Sequence, residues 1–321
     1  MSPEFELIAK FFTRPIANAT LGVGDDCALI RVSPGCELAV STDTLVSGIH
    51  FFPDADAEKL GHKALAVNLS DLAAMGALPR YVLLALTLPE VDEHWLAKFS
   101  RGFLRLASDN GVELIGGDTT RGPLSMTLTV MGEVGVGCAL RRDGAQDGDD
   151  IWVSGDLGAA ALALKHMQGG ATLHDVVFAE AAERLHCPSA RVALGRALIG
   201  VATSAIDLSD GLAADLGHIC EQSRLSAQVH LDSVPMFPSL RALGAADQIA
   251  CALAGGDDYE LCFTTPVSVR SRISRTSADL GLPLTRIGSM RRGDSKVHWL
   301  NDRGEEDPLT PGGFDHFLSR R

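Results

Sequence analysis

Six separate segments of the sequence place aspartate beside or just after an apolar run: Gly24-Asp25-Asp26, Ser41-Thr42-Asp43, Asn68-Leu69-Ser70-Asp71, Gly117-Asp118, Asp207-Leu208-Ser209-Asp210 and Gly256-Asp257-Asp258. Taken one at a time, such an aspartate is a turn former or a helix cap. The recurrence points to chemistry instead. Carboxylates that converge repel one another unless a cation neutralises them. Mg²⁺ suits hard oxygen donors, commonly taking one or two carboxylates and completing its shell with water and phosphate oxygens. The matching substrate is a polyphosphate such as a nucleoside triphosphate. Zinc is disfavoured because histidine and cysteine are not grouped, and the twelve-residue calcium loop with its terminal glutamate is absent.

Asp71 is the most telling of these residues. It lies in Ala64-Leu65-Ala66-Val67-Asn68-Leu69-Ser70-Asp71-Leu72-Ala73-Ala74-Met75, a helical stretch apolar on all sides and therefore buried. Asn68 and Asp71 are three apart and share a face. That face either opens on a polar pocket holding metal or phosphate, or is satisfied by neighbouring amides or an arginine. The segment Gly116-Gly117-Asp118-Thr119-Thr120-Arg121-Gly122-Pro123 reads as a loop after a strand, offering amides, two hydroxyls and a guanidinium to phosphate oxygens. Gly155-Asp156-Leu157-Gly158 opens a helix and is either a second anion site or a plain cap. Arg141 and Arg142 either clamp a phosphate or form a solvated pair. His50 either touches substrate or is structural.

These residues need a scaffold to carry them. The chain of 321 residues is 46% hydrophobic and 21% charged, enough to bury a large core in two domains. Apolar or alternating runs predict strands at 28–32, 37–41, 81–88, 112–116 and 125–132, with helices at 57–75 and 93–110 and a first helix opened by Ser2-Pro3. The polar stretch from Arg141 to Asp150 is the candidate junction. Beyond it, strands are predicted at 151–154, 203–208, 226–231, 259–264, 285–290 and 296–300. Helices are predicted at 157–167, 175–185, 190–199, 211–222 and 267–280. The expected class is α/β with α+β layers.

Lys and Arg total 28 against 41 Asp and Glu, and the net charge of −13 argues against nucleic acid as a partner. The seven cysteines are scattered, no basic signal region precedes Phe12, and no apolar run reaches a membrane span, so a cytoplasmic protein is expected. No P-loop, protein-kinase signature, nucleophile elbow or dinucleotide fingerprint occurs.

Together, Gly24-Asp25-Asp26-Cys27-Ala28, Ser41-Thr42-Asp43-Thr44-Leu45, Asn68 to Ala77, Gly116 to Gly122, Arg142-Asp143-Gly144-Ala145, Ala205 to Leu212, Gly255 to Leu261 and Gly313-Phe314-Asp315-His316-Phe317 resemble the thiamine-monophosphate kinase family, in order and along nearly the whole chain. The resemblance implies an aminoimidazole-ribotide-synthetase-like fold of two domains. Residues 1–138 would bind ATP and Mg²⁺ and complete their sheet by dimerisation, with 139–321 as the C-terminal domain. It implies a homodimer that phosphorylates thiamine monophosphate with ATP and several Mg²⁺ ions. By the same resemblance Asp26, Ser41, Thr42, Asp43, Asp71, Asp118, Asp207 and Asp210 would bind Mg²⁺. Gly117, Asp118, Arg142 and Ser209 would contact ATP, and His50, Asp257 and Phe314 the acceptor. Asp71, Asp210 and Arg142 are expected to be the most critical, with no residue assigned as acid or base. Two positions depart from the family pattern, since many members carry Glu at the place of Asp257 and Trp or Tyr at that of Phe314.

Overall fold

A computed structural model describes residues 6–308, so the expected Ser2-Pro3 helix cap and Phe314 lie outside the described residues. The described chain divides into two compact units. The first holds residues up to Leu72 together with Ala77–Gly137; the second holds Ala73–Gly76 together with the chain from Cys138 onward.

The first unit opens on a short π-helical turn, Ile8–Phe12. Its sheet contains β1 (Cys36–Val46), β2 (Leu78–Leu88), β3 (Glu113–Arg121) and β4 (Ser125–Gly135), in the order β1-β4-β2-β3. The β1–β4 and β2–β4 pairs are antiparallel and the β2–β3 pair is parallel. Helices α1 (Ala57–Ala74) and α2 (Glu93–Asp109) belong with it, α2 capped by Asp92 accepting the amides of His94 and Trp95. Alternation along the strands divides the sheet. Val82, Leu84, Leu86, Met126, Leu128 and Val130 are all buried at 5% exposure or less. The register places Ser41, Asp43 and Leu45 of β1 opposite Val130, Leu128 and Met126, on that same buried face. Tyr81, Ile115 and Met131 cluster separately with Leu38 and Leu83. The expected strand at 28–32 is reduced to a single bridge, Leu21 to Leu29.

The second unit is built on a six-stranded sheet of β5 (Asp150–Ser154), β6 (Ser204–Asp207), β7 (Ser226–His230), β8 (Leu261–Thr265), β9 (Leu284–Arg291) and β10 (Val297–Leu300), ordered β10-β7-β9-β5-β8-β6. Its helices are α3 (Ala159–Met167), α4 (Asp175–His186), α5 (Val192–Leu198), α6 (Leu212–Ser223), α7 (Ala245–Leu253) and α8 (Arg270–Leu280). One core gathers Ile151, Val153, Leu162, Ile206, Leu216, Ile219, Phe237 and Ile287. A second gathers Ala73, Ala74, Trp152, Leu194, Leu198, Phe263 and Ile273. Helix α7 is absent from the sequence-based expectation. Its buried residues are Cys251, Ala252 and Leu253, so only its last turn carries the apolar signal.

Candidate functional site

In the first unit the site residues sit where β1 faces α1. Strand alternation turns Ser41 and Asp43 the same way. The Ser41 hydroxyl donates to Asp71 Oδ2 at 2.5 Å, and the Asp43 amide donates to Asn68 Oδ1 at 3.2 Å. Asn68 is itself fixed by donating Nδ2–H to the Ala64 carbonyl at 2.9 Å. The helix is as buried as its apolar sequence requires: Asn68 and Ser70 are fully enclosed, while Asp71 is half-buried. Asn68 and Asp71 thus form a polar stripe on an otherwise apolar helix, opposite a serine and an aspartate of the sheet.

Other expected members stand apart. The Thr42 hydroxyl lies 2.9 Å from that of Thr129, on the face of β1 opposite Ser41. Asp118 is aligned with Ala85 on β3, one sheet edge, whereas Ser41 and Asp43 are on β1, the other edge. Three ladder spacings of about 4.8 Å separate those edges by roughly 14 Å. Within this one unit Asp118 is therefore not brought to Asp71. Asp26 is exposed, its amide donating to Asp25 Oδ1 at 2.8 Å. The expected phosphate loop at Gly116–Arg121 is corrected too: these residues are strand, paired with Leu83–Leu88. Thr119 and Thr120 are β-branched and Gly117, at φ 148°, lies so close to the β2 backbone that a Cβ would meet the Leu84 carbonyl at 1.8 Å. His50 accepts the Val46 amide on Nδ1 at 3.0 Å, so the neutral ring carries its proton on Nε2.

The second unit holds another acidic group. Asp207 ends β6 and is buried, with Ser209 and Asp210 next in the chain and half-buried. Asp215, one turn into α6, accepts the Asp210 amide at 3.0 Å. Burial, reinforced by the negative charges of Asp207 and Asp210, pushes the Asp215 carboxyl up to about 8, against the Asp210 amide and Arg142. Arg142 is therefore electrostatically coupled to this group. Its carbonyl accepts the Ser223 hydroxyl at 2.7 Å, while its neighbour Arg141 is engaged with Asp143 at 2.6 and 2.9 Å. Of the arginine pair, only Arg142 is tied to the acidic cluster.

The segment Gly256–Glu260 runs beside the same strand end. The Asp257 amide donates to the Ser209 carbonyl at 2.9 Å and the Tyr259 amide to the Leu208 carbonyl at 2.8 Å. Gly256 permits the approach, since a Cβ there would meet the Ser209 carbonyl at 2.3 Å. Glu260, 1% exposed, accepts the Ser154 hydroxyl at 2.5 Å and a two-point contact from Arg191, with Nε at 2.7 Å. Asp258 accepts the Gly158 amide; burial, with Glu260 and Asp257 nearby, raises its carboxyl well above the usual range. Gly155-Asp156-Leu157-Gly158 thus opens α3 against a carboxylate of the protein itself. Asp215, Asp258 and Glu260 were not singled out individually in the sequence. The signal for Asp215 was a lone charge inside the apolar run Leu212–Leu216, the same signal that marked Asp71.

Among the described residues no group of three or more His, Cys, Asp or Glu is placed to hold a metal ion, so neither unit alone shows the expected convergence of carboxylates. Both groups nonetheless suit magnesium in donor type. Each offers hard oxygens, Ser41, Asp43 and Asp71 in one and Asp207 and Asp210 in the other, and Mg²⁺ needs only one or two protein carboxylates.

Comparison with known proteins shows what the chain is similar to. Residues 24–134 match the AIR synthase related protein, N-terminal domain. The fold of the whole chain resembles the crystal structure of thiamine-monophosphate kinase from Stenotrophomonas maltophilia K279a, with a TM-score of 0.84 and 48% identity over 94% of this chain and 96% of that one. It also resembles AaThiL complexed with AMPPCP and TMP, with a TM-score of 0.78 and 28% identity over 89% of each chain. The thiamine-monophosphate kinase of Escherichia coli (strain K12) is 47% identical over 98% of both chains. A match of that strength, running almost end to end through the strand ends and helix α1 that carry the acidic groups, makes this chain a member of the thiamine-monophosphate kinase family.

Proposed function

We propose that the protein transfers the γ-phosphoryl group of ATP directly to thiamine monophosphate, giving thiamine diphosphate and ADP. The observation that carries this reading is the full-length match to the Escherichia coli enzyme at 47% identity. The AaThiL complex supports it, because AMPPCP is an ATP analogue with a carbon bridge between its last two phosphorus atoms and TMP shares that structure with it.

The chemistry asks little of an acid or base. A phosphate monoester has its second pKa near 6, so the acceptor oxygen is already an anionic nucleophile at neutral pH. The obstacle is the repulsion between two polyphosphate anions that must approach in line. Asp71, Asp43 and Ser41 would hold Mg²⁺ in the first unit, and Asp207 and Asp210 in the second; Asp26, Thr42 and Asp118 are expected ligands that this unit does not bring beside Asp71. Bound magnesium neutralises and orients the phosphates. Arg142 adds a fixed positive charge beside Asp207 and Asp210, and Gly117 and Ser209 contact the nucleotide. His50, Asp257 and Phe314 bind the acceptor. Asp215 is buried and already receives the Asp210 amide, so it orients its neighbours and does not serve as the base.

A homodimer belongs to the same reading. β1 is an eleven-residue edge strand with Val40 57% exposed, the kind of edge that pairs with a second chain. Cys27, Cys36, Cys220, Cys251 and Cys262 are free thiols, which suits the reducing cytoplasm, and no helix among the described residues is long and apolar enough to cross a membrane. The test is to mix purified protein with ATP, Mg²⁺ and thiamine monophosphate and look by chromatography for thiamine diphosphate. Unphosphorylated thiamine is the control acceptor. Consumption of ATP without thiamine diphosphate would overturn the proposal.

A further inference from the structure

Two residues other than glycine occupy left-handed backbone within three positions, Asp257 at φ 68° and Tyr259 at φ 50°. Aspartate tolerates that region because its short polar side chain bonds locally, whereas a bulky aromatic there is an outlier. Such conformations persist only where surrounding contacts over-determine them, and they gather at sites where a side chain must be aimed.

The contacts here do over-determine the segment. The amides of Asp257 and Tyr259 donate to Ser209 and Leu208, and the Leu208 amide donates back to the Glu260 carbonyl at 2.8 Å. Ser154 and Arg191 hold the Glu260 carboxylate in the core, and the Gly158 amide binds Asp258. With its backbone pinned on both sides, the Tyr259 hydroxyl donates to Asp257 Oδ1 at 2.9 Å. The carboxylate of Asp257 is thereby aimed by a side chain whose own position is fixed by the strand end that carries Ser209.

We infer that Tyr259 is a positioning residue for acceptor recognition: its hydroxyl orients the Asp257 carboxylate toward the acceptor's cationic, nitrogen-rich heteroaromatic part. This rests on the reading that Asp257 contacts the acceptor. Tyr259 touches neither the nucleotide nor the reacting phosphorus in this account, so its removal falls on acceptor binding and spares the transfer step.

The experiment measures KM for thiamine monophosphate, KM for ATP, kcat and the melting temperature for the parent, Tyr259→Phe, Asp257→Asn and the double variant. Tyr259→Phe raises KM for thiamine monophosphate by about tenfold, the scale of a lost hydrogen bond to a charged group. KM for ATP and the melting temperature stay near the parent values. The double variant is no worse than Asp257→Asn alone, because an orienting hydroxyl has nothing to act on once the carboxylate is gone. Two outcomes overturn the inference. One is a Tyr259→Phe enzyme with the parent's KM for thiamine monophosphate; the other is a fall in kcat and melting temperature with a rise in both KM values, the mark of a merely structural role. If Asp257→Asn itself leaves that KM at the parent value, Asp257 is not an acceptor contact and the inference falls with it. Thiamine diphosphate formation by the parent in the same assay tests the kinase reading separately.

Discussion

In the first unit Asp71 is half-buried and meets a hydroxyl from Ser41, while the nearby Asp43 amide is met by the Asn68 side chain. In the second unit the carboxyls of Asp215 and Asp258 are driven toward the neutral form by burial, helped by Asp207 and Asp210 at the first and by Glu260 and Asp257 at the second. Glu260 there is gripped by Arg191. The same residue type therefore does two jobs. Half-buried Asp71 at the sheet–helix junction is placed to meet a cation, whereas the buried carboxylates of the second unit, answered by amides or an arginine, fix the loops around Ser209 and Asp257.

The comparison breaks most visibly if Asp71 is exchanged. Asp71→Asn keeps the bond from Ser41 but removes the charge. It should lower kcat by roughly a thousandfold, in line with losing one electrostatic element of a transfer site, while shifting the urea midpoint little. Substantial residual turnover would place Asp71 with the structural acids. The opposite pattern is expected for Arg191→Ala. Glu260, 1% exposed, would be left as an unpaired buried charge at a cost of about 3 kcal/mol, seen as a large drop in denaturation midpoint. An unchanged midpoint would show that Arg184, at 3.9 Å, suffices.

Acid stability tests the carboxylates held by neutral amides in the first unit. Burial alone would raise the Glu113 carboxyl, but the amides of Ala19, Ala17 and Asn18 hold it below its ordinary value. Glu133 behaves likewise through Ser33 and Arg80. Because these pKa values are depressed on folding, their stabilisation is present above about pH 4.5 and is lost as pH falls below it. Glu113→Gln should cost about 1 to 2 kcal/mol at pH 7, with the gap to the parent closing at pH 3 in urea titrations. A constant gap would show that packing, not charge, is at stake. The smallest effect is expected at Ser70, whose Oγ is buried with no hydrogen-bond partner among the described residues. Ser70→Ala should raise stability by up to about 1 kcal/mol; a loss of kcat instead would enrol that hydroxyl in the site beside Asp71.

Much of this arrangement is legible along the chain. An aspartate inside a run of alanine and leucine cannot avoid burial, so Asp71 announces itself, and the spacing of Asn68 and Asp71 puts them on one face of α1. The ends of β2, β4, α1 and α2 follow from Gly, Pro and Asp at their borders. The start of β3 was expected at 112–116, but its continuation to Arg121 was hidden, because two glycines and a Gly-Pro pair after Arg121 read as a loop, while its pairing with Leu83–Leu88 is a long-range fact. Helix α7 was hidden because most of its residues stay partly exposed and only its last turn is buried.

What the amino-acid order determined by itself was the family, the two sheets' worth of strands and the acidic segments, since each is a local pattern of residue types. Which aspartates keep a usable charge was decided by tertiary structure alone. The pKa of a carboxyl depends on how much water, which amides and which other charges surround it, and those neighbours come from segments far apart in the sequence, such as Gly158 beside Asp258 and Arg191 beside Glu260.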